Sequence, residues 1–192
     1  MPVGIVRERL QELAGLAGTV ADLFERDLEA LAVEMAQVLK DGGTLFFCGN
    51  GGSAADAQHI AAEYVVRFGR SRKPLPALAL TTDTSVLTAC ANDFGFEQVF
   101  SRQLEALAKP GDLLFLHSTS GNSENLIRAA ESAAALGVRT VGFLAKGGGH
   151  LARRIERAIV IPTDSTPRAQ EIHLTLSHIL CEIVEDKMAG AD

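Results

Sequence analysis

Tryptophan is absent from this 192-residue chain, tyrosine occurs once, and aromatic residues make up only 5% of it. Apolar residues still reach 47%, so a core of ordinary size must be built from aliphatic side chains. Cysteine is scarce as well: Cys48, Cys90 and Cys181 are odd in number, widely spaced and set in apolar surroundings. That pattern excludes a disulfide framework or a cysteine zinc set and suits a reducing compartment. No run approaches the ~18 uncharged apolar residues of a membrane span, and the N-terminus lacks a signal-peptide pattern. A soluble, cytoplasmic protein is expected, with no membrane partner. An excess of basic residues is also missing. The net charge is −6 with no Lys/Arg run, which argues against nucleic acid or an anionic membrane as the main partner. The length suits one domain with a helical extension.

Residues 3–40 contain no proline, and Val20, Leu23, Leu28, Leu31, Met35 and Val38 recur at three- to five-residue spacing. The spacing predicts two helices that break near Gly18. Such an arm, residues 1–40, has few ways to bury its apolar stripe within one protomer. Packing against a second subunit is expected, and an intramolecular cap is the alternative. From Gly42 onward, short apolar runs alternate with helical patterns. Strands are expected at residues 44–48, 75–81, 112–117, 140–144 and 158–161. Helices are expected at 53–68, 84–91, 97–108, 122–136 and 169–188. Residues 41–192 thus read as an α/β domain, a three-layer doubly wound sandwich with a five-stranded parallel sheet of flavodoxin-like type. Ligands bind such sheets at the carboxyl ends of the strands.

Two loops lie at those ends. The first, Gly49-Asn50-Gly51-Gly52, joins a buried strand to a helix opening at Ser53. Ser53 followed three residues later by Asp56 matches a capping box. A glycine turn feeding a helix N-terminus gathers free backbone N–H groups at the positive end of the helix dipole, where phosphates and sugar oxygens bind. It is neither a Walker A loop nor a dinucleotide fingerprint, and an ordinary strand-to-helix turn would look the same. His59 and Glu63 follow at i and i+4, on one face of that helix.

The second, His117-Ser118-Thr119-Ser120-Gly121-Asn122-Ser123-Glu124-Asn125, sets four hydroxyls and two carboxamides within eight residues beside another helix N-terminus. Helix capping needs only one or two of them, and the surplus favours a phosphate or sugar-phosphate ligand held without a fixed cation. On the last helix, Gln170, His173 and His178 accompany an apolar stripe, and a lone histidine there is more often structural than catalytic. Asn92-Asp93 reads either as a helix stop or as a polar pair at the rim of a site.

Four stretches carry a resemblance: residues 48–63, Asn92-Asp-Phe-Gly-Phe96, Ser118-Thr-Ser-Gly-Asn-Ser123, and Arg168-Ala-Gln-Glu-Ile-His173 followed by His178. In order and spacing the chain resembles the phosphoheptose isomerase family, of the sugar isomerase (SIS) fold. That resemblance implies conversion of D-sedoheptulose 7-phosphate to D-glycero-D-manno-heptose 7-phosphate, the first step toward the ADP- and GDP-heptoses of bacterial surface polysaccharide. It implies a homotetramer with sites at subunit interfaces, and one zinc per subunit held by His59, Glu63, Gln170 and His178. Substrate would be held by Asn50, Gly51, Gly52, Ser53, Glu63, Asn92, Asp93, Ser118, Thr119, Ser120, Ser123 and Gln170. Pro167 departs from the family, some members of which carry an acidic residue before the arginine.

An aldose–ketose isomerase needs a base for the proton alpha to the carbonyl and an acid for the enediol. Glu63 is the candidate base and His178 the candidate acid. A zinc-bound Glu63 would be less available as a base, so the two roles compete. The rival readings are a non-catalytic relative of the DiaA type, which binds the bacterial replication initiator, a sugar-phosphate sensor, and an isomerase of another sugar phosphate. DiaA-type proteins lose the positions matching Glu63 and His178, and this chain keeps both.

Overall fold

Five strands, β1 (Leu45–Gly49), β2 (Ala77–Ala79), β3 (Leu113–Ser118), β4 (Arg139–Leu144) and β5 (Arg157–Val160), form one sheet in the order β2-β1-β3-β4-β5. Every pairing is parallel. These are features of a computed structural model that describes residues 4–189. β1 and β3 are buried along their whole length, as strands covered on both faces must be, which is why they read as continuous apolar runs. The direction of strand addition reverses between β1 and β3. At that point the loops leaving the two strands diverge and open a crevice.

Among the described residues, six helices cover the sheet: α1 (Ile5–Lys40), α2 (Gly52–Val65), α3 (Thr84–Phe94), α4 (Ser101–Leu107), α5 (Glu124–Ala135) and α6 (Thr166–Met188). Alternate strand residues point to opposite faces. Leu45, Phe47, Leu113, Phe115, Val141 and Phe143 pack beneath α1, α2 and α6. Phe46, Cys48, Leu114, Leu116 and Leu144 face α3, α4 and α5. The rings of Phe47 and Phe115 stack at 5.0 Å in the first layer. Each such ring contributes about 1.5–3 kcal/mol by leaving water. All three cysteines are free and buried, as small core residues.

The structure corrects several expected boundaries. Residues 5–40 form one helix with no break at Gly18. Gly15 and Gly18 sit on open surface, and each costs only about 0.5–1 kcal/mol relative to alanine. The second half of α1 outweighs that by burying Val20, Leu28, Leu31, Ala32, Met35 and Val38 in the α2/α6 layer of the same protomer. The first half leaves Val6 and Leu10 mostly exposed. β2 shrinks to three residues because Pro74 and Pro76 have no N–H to give a ladder. α3 runs past Ala91 through Asn92 and Asp93 and stops at Gly95, whose φ of 96° ends the helix. The helix expected at residues 97–108 divides into a 3₁₀ turn, Phe96–Gln98, and the shorter α4.

Candidate active site

The first loop places its residues by a glycine rather than by a capping side chain. Gly51 has φ 57°, and α2 begins immediately after it, at Gly52, with no side-chain cap. Ser53 is therefore the second helical residue, buried, with its N–H donating to the Asn50 carbonyl at 3.1 Å. The expected capping box does not form, because a left-handed glycine starts the helix one residue early. Gly52 is glycine for a different reason: a Cβ there would lie 2.6 Å from the Gln170 side-chain nitrogen. The amide of Gln170, on α6, thus lies across the N-terminus of α2.

The second loop follows β3. The Ser118 hydroxyl accepts from the Gly121 N–H at 3.0 Å, and the Ser120 hydroxyl accepts from the Asn122 N–H at 3.2 Å. Among the described residues, the Thr119 and Ser123 hydroxyls have no partner, which leaves both to a ligand. A reciprocal carboxamide pair joins the loops: Asn50 Nδ2 donates to Asn125 Oδ1, and Asn125 Nδ2 to Asn50 Oδ1, both at 2.9 Å. The cleft between them has a volume of about 80 Å³ and includes Asn50, Ser53, Ser118, Thr119, Ser120 and Gln170. It lies at the β1/β3 reversal, where the topology predicts a ligand.

Beneath the cleft stand two imidazoles. Burial pushes His117 down to about 3 and His173 down to about 4, so both are neutral at physiological pH. His173 Nε2 lies 3.1 Å from the Leu144 carbonyl, which only a protonated nitrogen can satisfy. Among the described residues, neither nitrogen of His117 has a partner. His173, read from the sequence as structural, is a core residue.

The second cluster lies further along the same two helices. His59 Nε2 lies 3.1 Å from Glu63 Oε1 and 3.3 Å from His178 Nε2. The three potential ligand atoms all lie within 4.8 Å of one another. Adjacent ligands of a tetrahedral zinc with bonds of 2.0–2.1 Å stand about 3.3 Å apart. The donor set and its spacing therefore fit a divalent cation. Phe68 covers one side, its ring 5.7 Å from that of His178. Asp56 approaches from the preceding turn of α2. Burial raises its carboxyl pKa, and the nearby His59 and His178 oppose that rise.

Glu63 and His178, 115 positions apart in sequence, thus meet within one protomer. Asn92 and Asp93 do not line the cleft. They sit exposed on the last turn of α3, where Asn92 Nδ2 donates to Asp93 Oδ1 at 2.7 Å. Asn125, one of the two carboxamides expected to face a phosphate, is instead buried and paired with Asn50. Sequence reasoning took Asp56 only as a capping residue.

A family model described as SIS domain matches residues 10–145. The phosphoheptose isomerase of Aquifex aeolicus is 49% identical over 94% of this chain and 95% of its own length. Among solved structures, phosphoheptose isomerase GmhA from Neisseria gonorrhoeae superposes with a TM-score of 0.88 at 37% identity, covering 94% of this chain and 97% of that one. A phosphoheptose isomerase from Francisella tularensis gives a TM-score of 0.93 at 31% identity, over 97% and 100%.

Proposed function

The chain belongs to the phosphoheptose isomerase family of SIS-domain proteins, and on that premise we propose that it interconverts D-sedoheptulose 7-phosphate and D-glycero-D-manno-heptose 7-phosphate through an enediol. The observation that carries this reading is the meeting of Glu63 and His178 on the two helices that also wall the hydroxyl cleft. In the ketose-to-aldose direction the Glu63 carboxylate takes a proton from C1 while the C2 carbonyl oxygen is protonated. The enediol collapses when C2 is protonated and the C1 hydroxyl gives up its proton. His178, beside His59, is the acid for oxygen. Each positioned acid or base contributes about 10²–10⁴-fold.

The phosphate end belongs to the cleft. Thr119 and Ser123 supply free hydroxyls, Ser118 and Ser120 shape the loop, and Asn50, Gly51, Gly52, Ser53 and Gln170 close the opposite wall. Asn92 and Asp93 lie outside that wall, and in a homotetramer a neighbouring subunit could bring them to it. The exposed first half of α1 is the surface for that assembly.

His59, Glu63 and His178 would hold one zinc per subunit; Gln170, expected as the fourth ligand, has its amide at the cleft against Gly52 and would have to turn toward the cluster to reach the ion. When bound, that ion would polarise a carbonyl oxygen. Glu63 would then be shared between the metal and the proton. The reaction would stand in the cytoplasm, at the entry to the heptoses of bacterial surface polysaccharide.

The test is isomerisation of sedoheptulose 7-phosphate in D2O. Solvent deuterium at C2 of the aldose product is expected, and a product without it would overturn the enediol route. Glu63→Gln should abolish turnover while leaving substrate binding within a few-fold. An active Glu63→Gln protein would remove Glu63 as the base.

A further inference from the structure

The helix bearing His59 and Glu63 ends on a clasp with α6. Arg72, in the link after α2, is one half of it. Its Nη2 donates to the Glu63 carbonyl at 2.6 Å, its Nη1 to the Tyr64 carbonyl at 2.7 Å, and its Nε to Glu185 Oε1 at 3.1 Å. Glu185 also accepts from the N–H groups of Phe68, Gly69 and Arg70 at 3.1, 2.8 and 2.8 Å. The Arg72 and Glu185 side chains are only 8% and 5% exposed. Burial alone would raise the Glu185 carboxyl, but the three N–H donors and Arg72 outweigh it and hold it below its ordinary value.

The geometry gives this clasp a place in catalysis. His178 and Glu185 are seven residues apart on α6, on one stripe of the helix and about 10 Å along its axis. His178 meets His59 from α2, and Glu185 holds the far end of the same helix through Arg72. Apolar packing and the Gln170 amide also join α2 to α6, and the clasp adds an attachment at the end of α2 that carries Glu63. That attachment grips the backbone of Glu63 itself.

We propose that Arg72 is a positioning residue for Glu63: anchored by Glu185, it holds the Glu63 and Tyr64 carbonyls and so sets where the Glu63 carboxylate stands relative to His178. The proposal rests on the reading of Glu63 as the base. Arginine suits the task because its planar fork serves a carboxylate and two carbonyls at once, which the single ammonium of lysine cannot do. A shift of about 1 Å in a reacting group costs roughly 10²-fold in rate.

The experiment compares Arg72→Lys, Glu185→Gln and wild type as full chains, measuring kcat and KM for sedoheptulose 7-phosphate together with the folded fraction from ellipticity. Per folded molecule, Arg72→Lys should lose about 10- to 100-fold in kcat with KM within about twofold, because the phosphate cleft is untouched. A merely structural role would lower the melting temperature and leave kcat per folded molecule at the wild-type value, and that result overturns the proposal. So does a loss confined to KM. Where Arg72→Lys is largely unfolded, Glu185→Gln decides in its place by the same criterion, since it keeps an acceptor oxygen for the link. Glu63→Gln separates the two ideas. If it is active, the base assignment fails; if it is inactive while Arg72→Lys keeps wild-type kcat, only the positioning role fails.

Discussion

Acidification should destabilise this protein well above the carboxylate range, because of two core imidazoles. His117 and His173 are buried, with folded pKa values of about 3 and about 4, whereas in the unfolded chain each titrates near 6.5. Between those values the unfolded chain binds protons that the folded protein refuses, so protonation favours unfolding. The stability these neutral rings allow is complete above 6.5 and drains as pH falls toward 4. From pH 7 to pH 5 each histidine removes about 2 kcal/mol, and the pair about 4 kcal/mol. That is a large part of the ~5–15 kcal/mol that holds an ordinary domain together. Glu185, held below its ordinary carboxylate value, adds its own loss only at lower pH.

Urea unfolding at pH 7, 6 and 5, repeated on His117→Phe, measures the effect. Phenylalanine keeps a ring between Phe47 and Phe143 and removes one of the two titrations. The variant should lose about 2 kcal/mol over the interval, half the wild-type loss. Proton NMR should find two imidazoles that stay neutral at pH 5. Equal pH dependence in wild type and variant, or no imidazole resisting protonation, would refute the reasoning.

Three further outcomes follow from the site. Gly52→Ala drives a Cβ into the Gln170 amide, a flexible group, so it should raise KM roughly tenfold at nearly constant melting temperature; unchanged kinetics would remove Gln170 from the substrate wall. Asn125→Leu strands the Asn50 carboxamide and should cost about 1–3 kcal/mol in denaturant unfolding, with a raised KM as the loops part. His178→Ala should reduce zinc, measured by elemental analysis after equilibration, from one equivalent per chain toward none, and a retained full equivalent would place the ion elsewhere.

The sheet was legible because parallel strands covered on both faces must be continuous apolar runs, and 44–48 and 112–117 read that way. The i,i+4 pairing of His59 and Glu63 was legible for the same kind of reason, a local repeat that needs no tertiary information. Errors arose where one dihedral angle or one surface decides. The Ser53 capping pattern was present in the letters, but Gly51, with its positive φ, moved the helix start ahead of it. Gly18 looked like a break, yet in an open helix surface it costs less than the buried half of α1 gains. His178 could not be joined to Glu63 from spacing, because their meeting depends on how α6 crosses α2. Arg72 and Glu185, 113 positions apart, were invisible for that reason too.

The two parts of the site share their supports, and this constrains the substrate. α2 carries Ser53 at the cleft and His59 and Glu63 further along; α6 carries Gln170 at the cleft and His178 further along. Eight residues, about 12 Å of helix axis, separate Gln170 from His178. A sugar phosphate held by its ester in the cleft, with its chain opened along the α2/α6 seam, would bring its carbonyl end toward Glu63 and His178. A closed ring would hide that carbonyl as a hemiketal and shorten the molecule. On the proposed reading the open-chain form is the one that reacts, the only one in which the proton alpha to the carbonyl is acidic enough for a carboxylate to remove.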